Sequence, residues 1–321
     1  MKNPSFKRKK LGNWNLSSFQ KIKGPNIEQK NILSFIESFE GTGFQATHLA
    51  QAMKLIESMK KENCAIFLAL TSNMVSSGLR ETIAALIKEK KIDAIITSTG
   101  AIEEDFIKSM NSFMLGSFDV NDSEVKKNKL NRIGNIFVPD EFYVKFEEWH
   151  MKFIAERVKE KSIWSPSEYI FEMGKHLKDE NSILFWAAKN CIPIYCPGFV
   201  DGAMGDHWFF FNQDTKTKIV IDSAKDLSLF YNQILAPKKI AGIILGGGIA
   251  KHHLIGAAIL RNGLDYALYI STGTEYDGSL SGAKPKEAVS WNKLKEQKNS
   301  VFIEADATLV FPFIALKLLE K

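Results

Sequence analysis

The segment AGIILGGGIAKHH, residues 241–253, carries a short apolar run, three consecutive glycines and then a more polar stretch. A run of this length followed by glycine and a helical pattern indicates a buried strand that leads into a helix. Similar short apolar runs, each followed by small or polar residues and a helical pattern, are AIFLAL (65–70), IDAIIT (92–97), IPIYC (192–196), KIVID (218–222), DYALYI (265–270) and VFIEA (301–305). Because such strands are apolar on both faces, we predict an α/β, Rossmann-like fold with a mainly parallel sheet and helices on both faces.

Small or hydrogen-bonding residues follow these apolar runs, in the turns TSN, STG, DG, GGG, STG and AD. In open α/β sheets, ligands bind in the crevice beyond the carboxyl ends of the strands. Small residues there let backbone N–H groups approach a phosphate, and the helix N-termini that follow favour anions. Since several such turns share one edge, they predict a dinucleotide site. The G-x-G-x-x-G pattern of an ordinary dehydrogenase is missing from the sequence.

The composition of the 321-residue chain is that of a globular protein, with 45% apolar and 25% charged residues. The longest apolar run, residues 308–319, is too short to span a bilayer, and the basic start MKNPSFKRKK lacks the apolar region of a secretory signal. Five of the 42 Lys and Arg residues lie in the first ten positions, so 37 remain against 37 Asp and Glu. The neutral body carries no electrostatic footprint for direct nucleic acid binding.

Two segments with different properties are predicted. Residues 1–27 form a basic, flexible N-terminal tail, and residues 28–321 form a single domain, since no internal repeat or long linker interrupts them. Residues 28–60 have helical spacing, and Thr47 is a candidate cap for the helix THLAQAMKLIESMKK. Three cysteines form neither a disulfide framework nor a zinc motif, which favours a cytoplasmic protein without a metal site.

Seven motifs resemble the deoxyhypusine synthase family in sequence and in order, from about residue 65 to 315. They are TSNMVSSGLRETI (71–83), TSTGAIEEDFIK (97–108), NRIGNIFVPDEFYVKFEEW (131–149), DGAMGD (201–206), IILGGGIAKHH (243–253), EYDGSLSGAKPKEAVSWNK (275–293) and EADATLVFP (304–312). The pattern EYDGSLSGA followed by EAVSW-x-K is the most specific of them.

The resemblance implies an NAD-dependent transfer of the 4-aminobutyl group of spermidine to one lysine of the hypusine-bearing translation initiation factor. The group is carried as an imine of an enzyme lysine. The resemblance also implies a homotetramer with active sites shared across a subunit interface.

Site residues are carried over motif by motif. Lys293 matches the covalent lysine, and His252 matches a histidine close to the reacting amine. The substrate-binding candidates are Glu104, Asp206, Gly278, Ser279, Glu287 and Trp291. The NAD-binding candidates are Ser72, Asn73, Ser76, Thr99, Gly100, Asp201, Gly247, Thr272, Gly273, Asp306 and Ala307.

The residue types suit this chemistry. A lysine is a nucleophile only when neutral, so Lys293 needs burial that lowers its pKa. Trp291 offers an apolar wall and a face for a polyamine cation. Carboxylates bind the ammonium groups.

Each assignment has a structural alternative. The pair His252 and His253 could pack against the sheet, and residues 103–105 could be an acidic cluster at a helix N-terminus. The glycines 246–248 could form a bare turn, and Trp291 could lie in the core. The role of Glu103 stays open between these possibilities.

Two positions depart from the family pattern. Animal members have aspartate where this chain has Leu280, and Asn292 replaces the usual glycine between the tryptophan and the lysine. The loss of a carboxylate at Leu280 keeps a second enzyme in view, a related homospermidine synthase that uses a free diamine as acceptor. A non-catalytic NAD-binding member of the family is the third alternative.

Overall fold

The computed structural model describes residues 19–320, and its centre is a six-stranded parallel sheet. The strands of the described residues are β1 (Ala65–Leu70), β2 (Ala94–Ile96), β3 (Met114–Leu115), β4 (Leu130–Ile133), β5 (Ile136–Pro139), β6 (Ile163–Trp164), β7 (Ile194–Tyr195), β8 (Val220–Ile221), β9 (Ile240–Leu245), β10 (Tyr266–Ser271) and β11 (Ser300–Glu304). The central sheet has the order β11-β10-β9-β1-β2-β7.

Helices cover this sheet on both faces. The α-helices of the described residues are α1 (Ile32–Glu37), α2 (Phe44–Lys61), α3 (Asn73–Ser76), α4 (Leu79–Lys88), α5 (Thr99–Met110), α6 (Asp122–Lys127), α7 (Asp140–Glu160), α8 (Pro166–Lys175), α9 (Ile183–Asn190), α10 (Ala203–Asp214), α11 (Ser223–Leu235), α12 (Gly248–Ala257), α13 (Pro285–Ser290) and α14 (Ala307–Leu319). Short 3₁₀ helices span Ser38–Gly41, Ala258–Arg261, Glu275–Asp277 and Gln297–Asn299.

The apolar strands fill two cores, one on each face of the sheet. All six residues of β9 and all six of β10 are buried. Alternate residues of β9 point to opposite faces: Ile243 packs in one core and Ile244 in the other. The predicted fold class is therefore confirmed, and the strand order changes direction at β1, which has β2 on one side and β9 on the other.

The segment KIVID was predicted as a strand of the same type, and that expectation is wrong in position. Its strand β8 pairs with β6 in a separate two-stranded sheet. Ile219 is buried but Val220 is 49% exposed, so the segment is covered by other residues on one side only. A central parallel strand must be covered on both faces, which this segment is not.

The middle of the chain holds elements that the sequence pattern did not predict. Strands β3, β5 and β4 form a small antiparallel sheet, in which Gly134 turns the chain between β4 and β5 with φ of 59°. Helix α7 follows directly after Pro139 and buries one side against the main body.

The N-terminal region differs from expectation in one cap. Helix α2 begins at Phe44, three residues before Thr47, so Thr47 is not its N-cap. The Thr47 hydroxyl instead accepts from the Gly43 N–H at 2.9 Å and donates to the Glu40 carbonyl.

The predicted flexible tail lies partly outside the structure. Its residues 1–18 fall outside the described residues. Lys23 and Asn26, near its end, donate backbone N–H groups to the Gly41 carbonyl and to the Ser38 hydroxyl. Within residues 19–320, every helix is too short or too polar to cross a bilayer.

Candidate active site

The NAD-binding candidates share one edge of the sheet, because each follows the carboxyl end of a parallel strand. After β1 come Ser72, Asn73 and Ser76; after β2, Thr99 and Gly100; after β7, Asp201; after β9, Gly247; after β10, Thr272 and Gly273; and after β11, Asp306 and Ala307. Helices of ten or more residues begin at this edge after β2, β9 and β11, which directs their N–H groups toward it.

The glycines after β9 are needed for close packing and not only for a turn. A Cβ on Gly247 would lie 2.2 Å from the Ser281 Oγ, so the segment after β10 folds directly over the end of β9. Gly246 and Gly248 have φ of 82° and 60°, a conformation that glycine adopts without strain. Beside Gly248 the structure has open space within 4 Å of a Cβ position, which suits the approach of a ligand to the backbone.

Some of the predicted cofactor contacts already have protein partners. The Ser76 hydroxyl donates to the Glu104 carboxylate, and the Thr99 hydroxyl donates to the Gly198 carbonyl at 2.9 Å. Thr99 is fully buried, so its side chain anchors the segment after β7 instead of facing a ligand. Asp306 is exposed and uses Oδ1 to cap α14 through Thr308, which leaves Oδ2 for a ribose hydroxyl. This edge therefore fits a dinucleotide through its backbone and through Asp306.

Two adjacent carboxylates on α5 are buried beside this edge. Burial raises the pKa of Glu104 to about 7, against the hydrogen bond from Ser76. Burial also raises the pKa of Glu103 to about 7, and the nearby charges of Asp206 and Asp201 add to this effect. Glu104 thus lies with the cofactor candidates at the ends of β1 and β2, because its partner Ser76 belongs to that group.

Glu103 connects α5 to the start of α10. Its Oε1 accepts the Met204 N–H at 2.6 Å, and a Cβ on Gly202 would lie 2.7 Å from the same oxygen. Asp206 is exposed in the first turn of α10, two residues beyond this contact. Glu103, whose role the sequence left open, therefore fixes the start of the helix that carries Asp206.

Lys293 lies in a small pocket on one face of the sheet. Trp291 and Glu287 of the preceding turn and helix line the same pocket, together with Lys251, Tyr269 and Leu280. The Lys293 Nζ is 5.3 Å from the centre of the Trp291 ring. Trp291 is 62% exposed, so the alternative that placed it in the core is wrong.

Lys251 and Tyr269 are pocket residues that sequence reasoning missed. Lys251 is 2% exposed and donates to the Leu280 carbonyl at 2.5 Å and the Ala283 carbonyl at 3.0 Å. Burial lowers the pKa of Lys251 to about 8, and the charge of Lys293 contributes to the shift. The Tyr269 hydroxyl is buried without a hydrogen-bond partner among the described residues, which leaves a polar group available within the pocket.

Comparisons with known proteins identify the family of this chain. The family model for deoxyhypusine synthase matches residues 34–318. The chain belongs to the deoxyhypusine synthase family. It is 46% identical over 311 residues to the "Probable deoxyhypusine synthase" of Pyrococcus abyssi, covering 91% of this chain and 92% of that protein. It is 39% identical over 330 residues to the deoxyhypusine synthase of Caenorhabditis elegans, with coverage of 94% and 88%.

A solved structure shows the same fold. A crystal structure from Entamoeba histolytica, provisionally assigned as a deoxyhypusine synthase, superposes with a TM-score of 0.68 at 28% identity. The match covers 92% of this chain and 96% of that one.

The two departures from the deoxyhypusine synthase pattern have structural explanations. Asn292 has φ of 54°, in the left-handed region, and asparagine enters this region more readily than most residues other than glycine. The substitution therefore preserves the turn that presents Lys293. Leu280 packs its side chain against the core on this face and offers only its carbonyl to Lys251, so it supplies no carboxylate.

The two histidines after the glycines have different surroundings. His253 stacks on Phe230 with ring centres 4.5 Å apart, and burial lowers its pKa to about 4. The packing alternative therefore describes His253, although its contact is with α11. His252 is exposed on the same helix, and its place beside the reacting amine stays a prediction.

The remaining candidates lie on the segment after β10. Gly278 has φ of 70° and ends the 3₁₀ helix Glu275–Asp277, and the Ser279 N–H donates to the Asp277 carboxylate. Two strands of the sheet, β9 and β1, lie between β10, which precedes this segment, and β2, which precedes α5. From β10 to β2 there are three strand spacings, or about 14 Å. The structure thus brings Glu287, Trp291 and Lys293 together and places Glu104 in a second group.

Proposed function

We propose that this chain is a deoxyhypusine synthase, which transfers the 4-aminobutyl group of spermidine to one lysine of the hypusine-bearing translation initiation factor. The observation that carries the proposal is the pocket of Lys293, where an amine lies beside Trp291 and Glu287. This combination offers a nucleophile, a cation-binding ring and a carboxylate within one small space. In this proposal the reaction takes place in the cytoplasm, where the translation factor works.

Lys293 is the proposed carrier of the butyl group. NAD, bound at the strand-end edge, would supply the hydride acceptor and, once reduced, the hydride donor. The neutral Lys293 Nζ attacks the oxidised carbon beside the secondary amine of spermidine, forms a carbon–nitrogen bond and releases 1,3-diaminopropane. The acceptor lysine then displaces Lys293 from the resulting imine, and Lys293 returns to its free form. The imine now on the acceptor lysine would take back the hydride held by the cofactor and become a secondary amine.

Carboxylates hold the polyamine while this happens. Glu287 lines the pocket, and Asp206 and Glu104 are the other proposed ammonium partners. Glu104, with its pKa raised to about 7, carries a full charge only above neutral pH. His252 is proposed to handle the proton of the reacting amine.

The proposed assembly is a homotetramer with shared active sites. Large apolar side chains are exposed close to the candidate residues, among them Val200, Phe209, Ile249 and Trp291. A second subunit that covered them would exclude water from the site and bring a second set of carboxylates to it. Light scattering should then give a mass of about four times 36.2 kDa, and a fully active monomer would contradict the assembly.

The direct test is incubation with NAD, labelled spermidine and the purified initiation factor. The factor should gain one 4-aminobutyl group on one lysine, as measured by mass spectrometry. Omission of NAD should abolish the gain. Absence of any mass change in the factor, with NAD and spermidine both bound, would contradict the proposed acceptor.

One observation favours a second candidate, a homospermidine synthase that uses a free diamine. Leu280 provides no carboxylate where animal family members have aspartate, which changes how the amine ends are held. Putrescine should compete poorly with the factor if the first proposal is right. Efficient formation of homospermidine without labelling of the factor would favour the second, and binding of NAD without either product would favour a non-catalytic member.

A further inference from the structure

A chain of buried hydrogen bonds lies behind α10, the helix that carries Asp206. The Trp208 Nε1 is 3.4 Å from the Tyr169 hydroxyl, which is 2.8 Å from the His150 Nε2. The His150 Nδ1 is 2.9 Å from the His207 Nδ1. His150 and Tyr169 are fully buried, and Trp208 and His207 are 4% and 6% exposed. The chain therefore connects α7, α8 and α10 away from solvent.

The donors in this chain have one consistent order. The indole N–H of Trp208 can only donate, so the Tyr169 oxygen accepts it. Tyr169 then has one proton to give, and among its hydrogen bonds the remaining partner is the His150 Nε2. His150 must therefore carry its proton on Nδ1 and donate it to the His207 Nδ1. His207 in turn carries its proton on Nε2.

This arrangement leaves no position for an additional proton. A second proton on the His207 Nδ1 would set two N–H groups against each other and break the bond between the rings. A second proton on the His150 Nε2 would turn that atom into a donor and leave the Tyr169 hydroxyl proton without its acceptor. Burial, followed by the nearby His207, holds the pKa of His150 well below its usual value. Burial also lowers the pKa of His207, although Glu147 and Asp206 oppose the shift.

Charged groups on the neighbouring helices surround this chain of hydrogen bonds. Burial raises the pKa of Tyr169, and the smaller effect of the positive charge of Arg157 on α7 lowers it. Glu103 of α5 holds the start of α10. His176 follows α8 and contacts the Phe153 ring. None of these groups takes part in the four-residue hydrogen-bond chain. A substitution of the two histidines therefore changes those hydrogen bonds and keeps the surrounding charges.

Helix α10 is thus fixed at two points on either side of Asp206. Glu103 holds Met204, two residues before Asp206, and His150 holds His207, the residue after it. We propose that His150 and His207 are positioning residues that lock α10 and thereby place the Asp206 carboxylate for amine binding, and that protonation of the pair opens this lock. The inference rests on the proposed function in assigning Asp206 to the amine.

The test compares the wild-type protein with His150→Gln/His207→Gln and with His150→Leu. Glutamine can accept the Tyr169 proton and donate to its neighbour, but it does not titrate near neutral pH. Hydrogen exchange of residues 203–214 should be faster in the wild type than in the double glutamine variant at about pH 5.5, and equal at about pH 8. Equal exchange at both pH values would overturn the lock.

Ligand binding separates a positioning role from a purely structural one. Between about pH 8 and pH 5.5, the spermidine affinity of the wild type should fall at least about threefold more than that of the double glutamine variant. NAD affinity should fall equally in both. His150→Leu should weaken spermidine binding at both pH values while keeping NAD binding. Equal loss of both ligands would overturn the positioning role.

The experiment has a matched control, and its outcomes distinguish a failure of the lock from a failure of the proposed function. His176→Gln removes an exposed histidine from the same region and should behave as the wild type in every assay. If the wild type and all variants fail to bind spermidine at about pH 8, the proposed function is refuted. In that case the exchange of residues 203–214 still decides whether the histidine pair locks the helix.

Discussion

Replacement of Glu103 by glutamine should change how stability depends on pH. Glu103 is 3% exposed, and its pKa is raised from 4.5 to about 7, chiefly by burial and also by Asp206 and Asp201. The folded protein therefore holds a proton that the unfolded chain releases between these pH values. Stability falls as pH rises through this interval, by on the order of 3 kcal/mol at about 1.4 kcal/mol per pH unit.

Glutamine keeps an oxygen for the Met204 N–H but carries no charge. The free energy of unfolding should be measured with urea at about pH 5 and about pH 8. Relative to the wild type, that of Glu103→Gln should rise by on the order of 3 kcal/mol from the lower to the higher pH. Glu148→Gln, at an exposed position of α7, should follow the wild type. Parallel stability curves for Glu103→Gln and the wild type would refute the claim that burial holds this carboxyl protonated.

Substitutions at three further positions test the packing around the site. Arg80→Met should cost about 3–5 kcal/mol in urea unfolding, because it leaves the buried Asp105 carboxylate without its cation. Gly247→Ala should weaken NAD binding in calorimetry, because its Cβ would displace Ser281 and the segment over the strand ends. Asn292→Gly should keep the transfer rate, whereas Asn292→Val should destabilise the turn by about 1–2 kcal/mol, because valine resists the left-handed conformation.

Matched changes at open positions serve as controls. Arg132→Met removes an exposed ion pair with Asp122 and should leave stability nearly unchanged. Gly24→Ala introduces a Cβ with no atom within 4 Å and should leave NAD binding unchanged. Losses at the controls equal to those at Arg80 and Gly247 would contradict the assigned causes.

The sheet could be predicted because its strands are apolar on both faces, a pattern typical of parallel strands covered by helices on either side. Runs such as 241–245 and 265–270 form central strands close to their predicted limits. KIVID has the same composition but alternates between buried and exposed positions, and only tertiary packing decides that it joins β6. Thr47 shows the same limit, because the helix starts earlier at the turn made by Gly43.

Part of the site was open to sequence reasoning and part was not. Glu287, Trp291 and Lys293 are close in sequence, so the motif that contains them also places them in one pocket. Lys251 meets the carbonyls of residues 29 and 32 positions further along the chain, a contact that only the fold creates. Residue types alone gave no signal that Lys251 is buried or that the Tyr269 hydroxyl lacks a partner among the described residues.

The proposal that Lys293 carries the butyl group is tested most directly by trapping the covalent intermediate. Borohydride reduction in the presence of NAD and spermidine should add the butylamine mass to Lys293 alone. Lys293→Arg should bind NAD and spermidine but transfer nothing, because arginine stays protonated and cannot attack. Lys295→Arg is the control, since Lys295 is engaged with Asp265 at 2.7 Å and should be dispensable. An adduct on Lys251 or Lys295, or wild-type transfer by Lys293→Arg, would contradict the central claim.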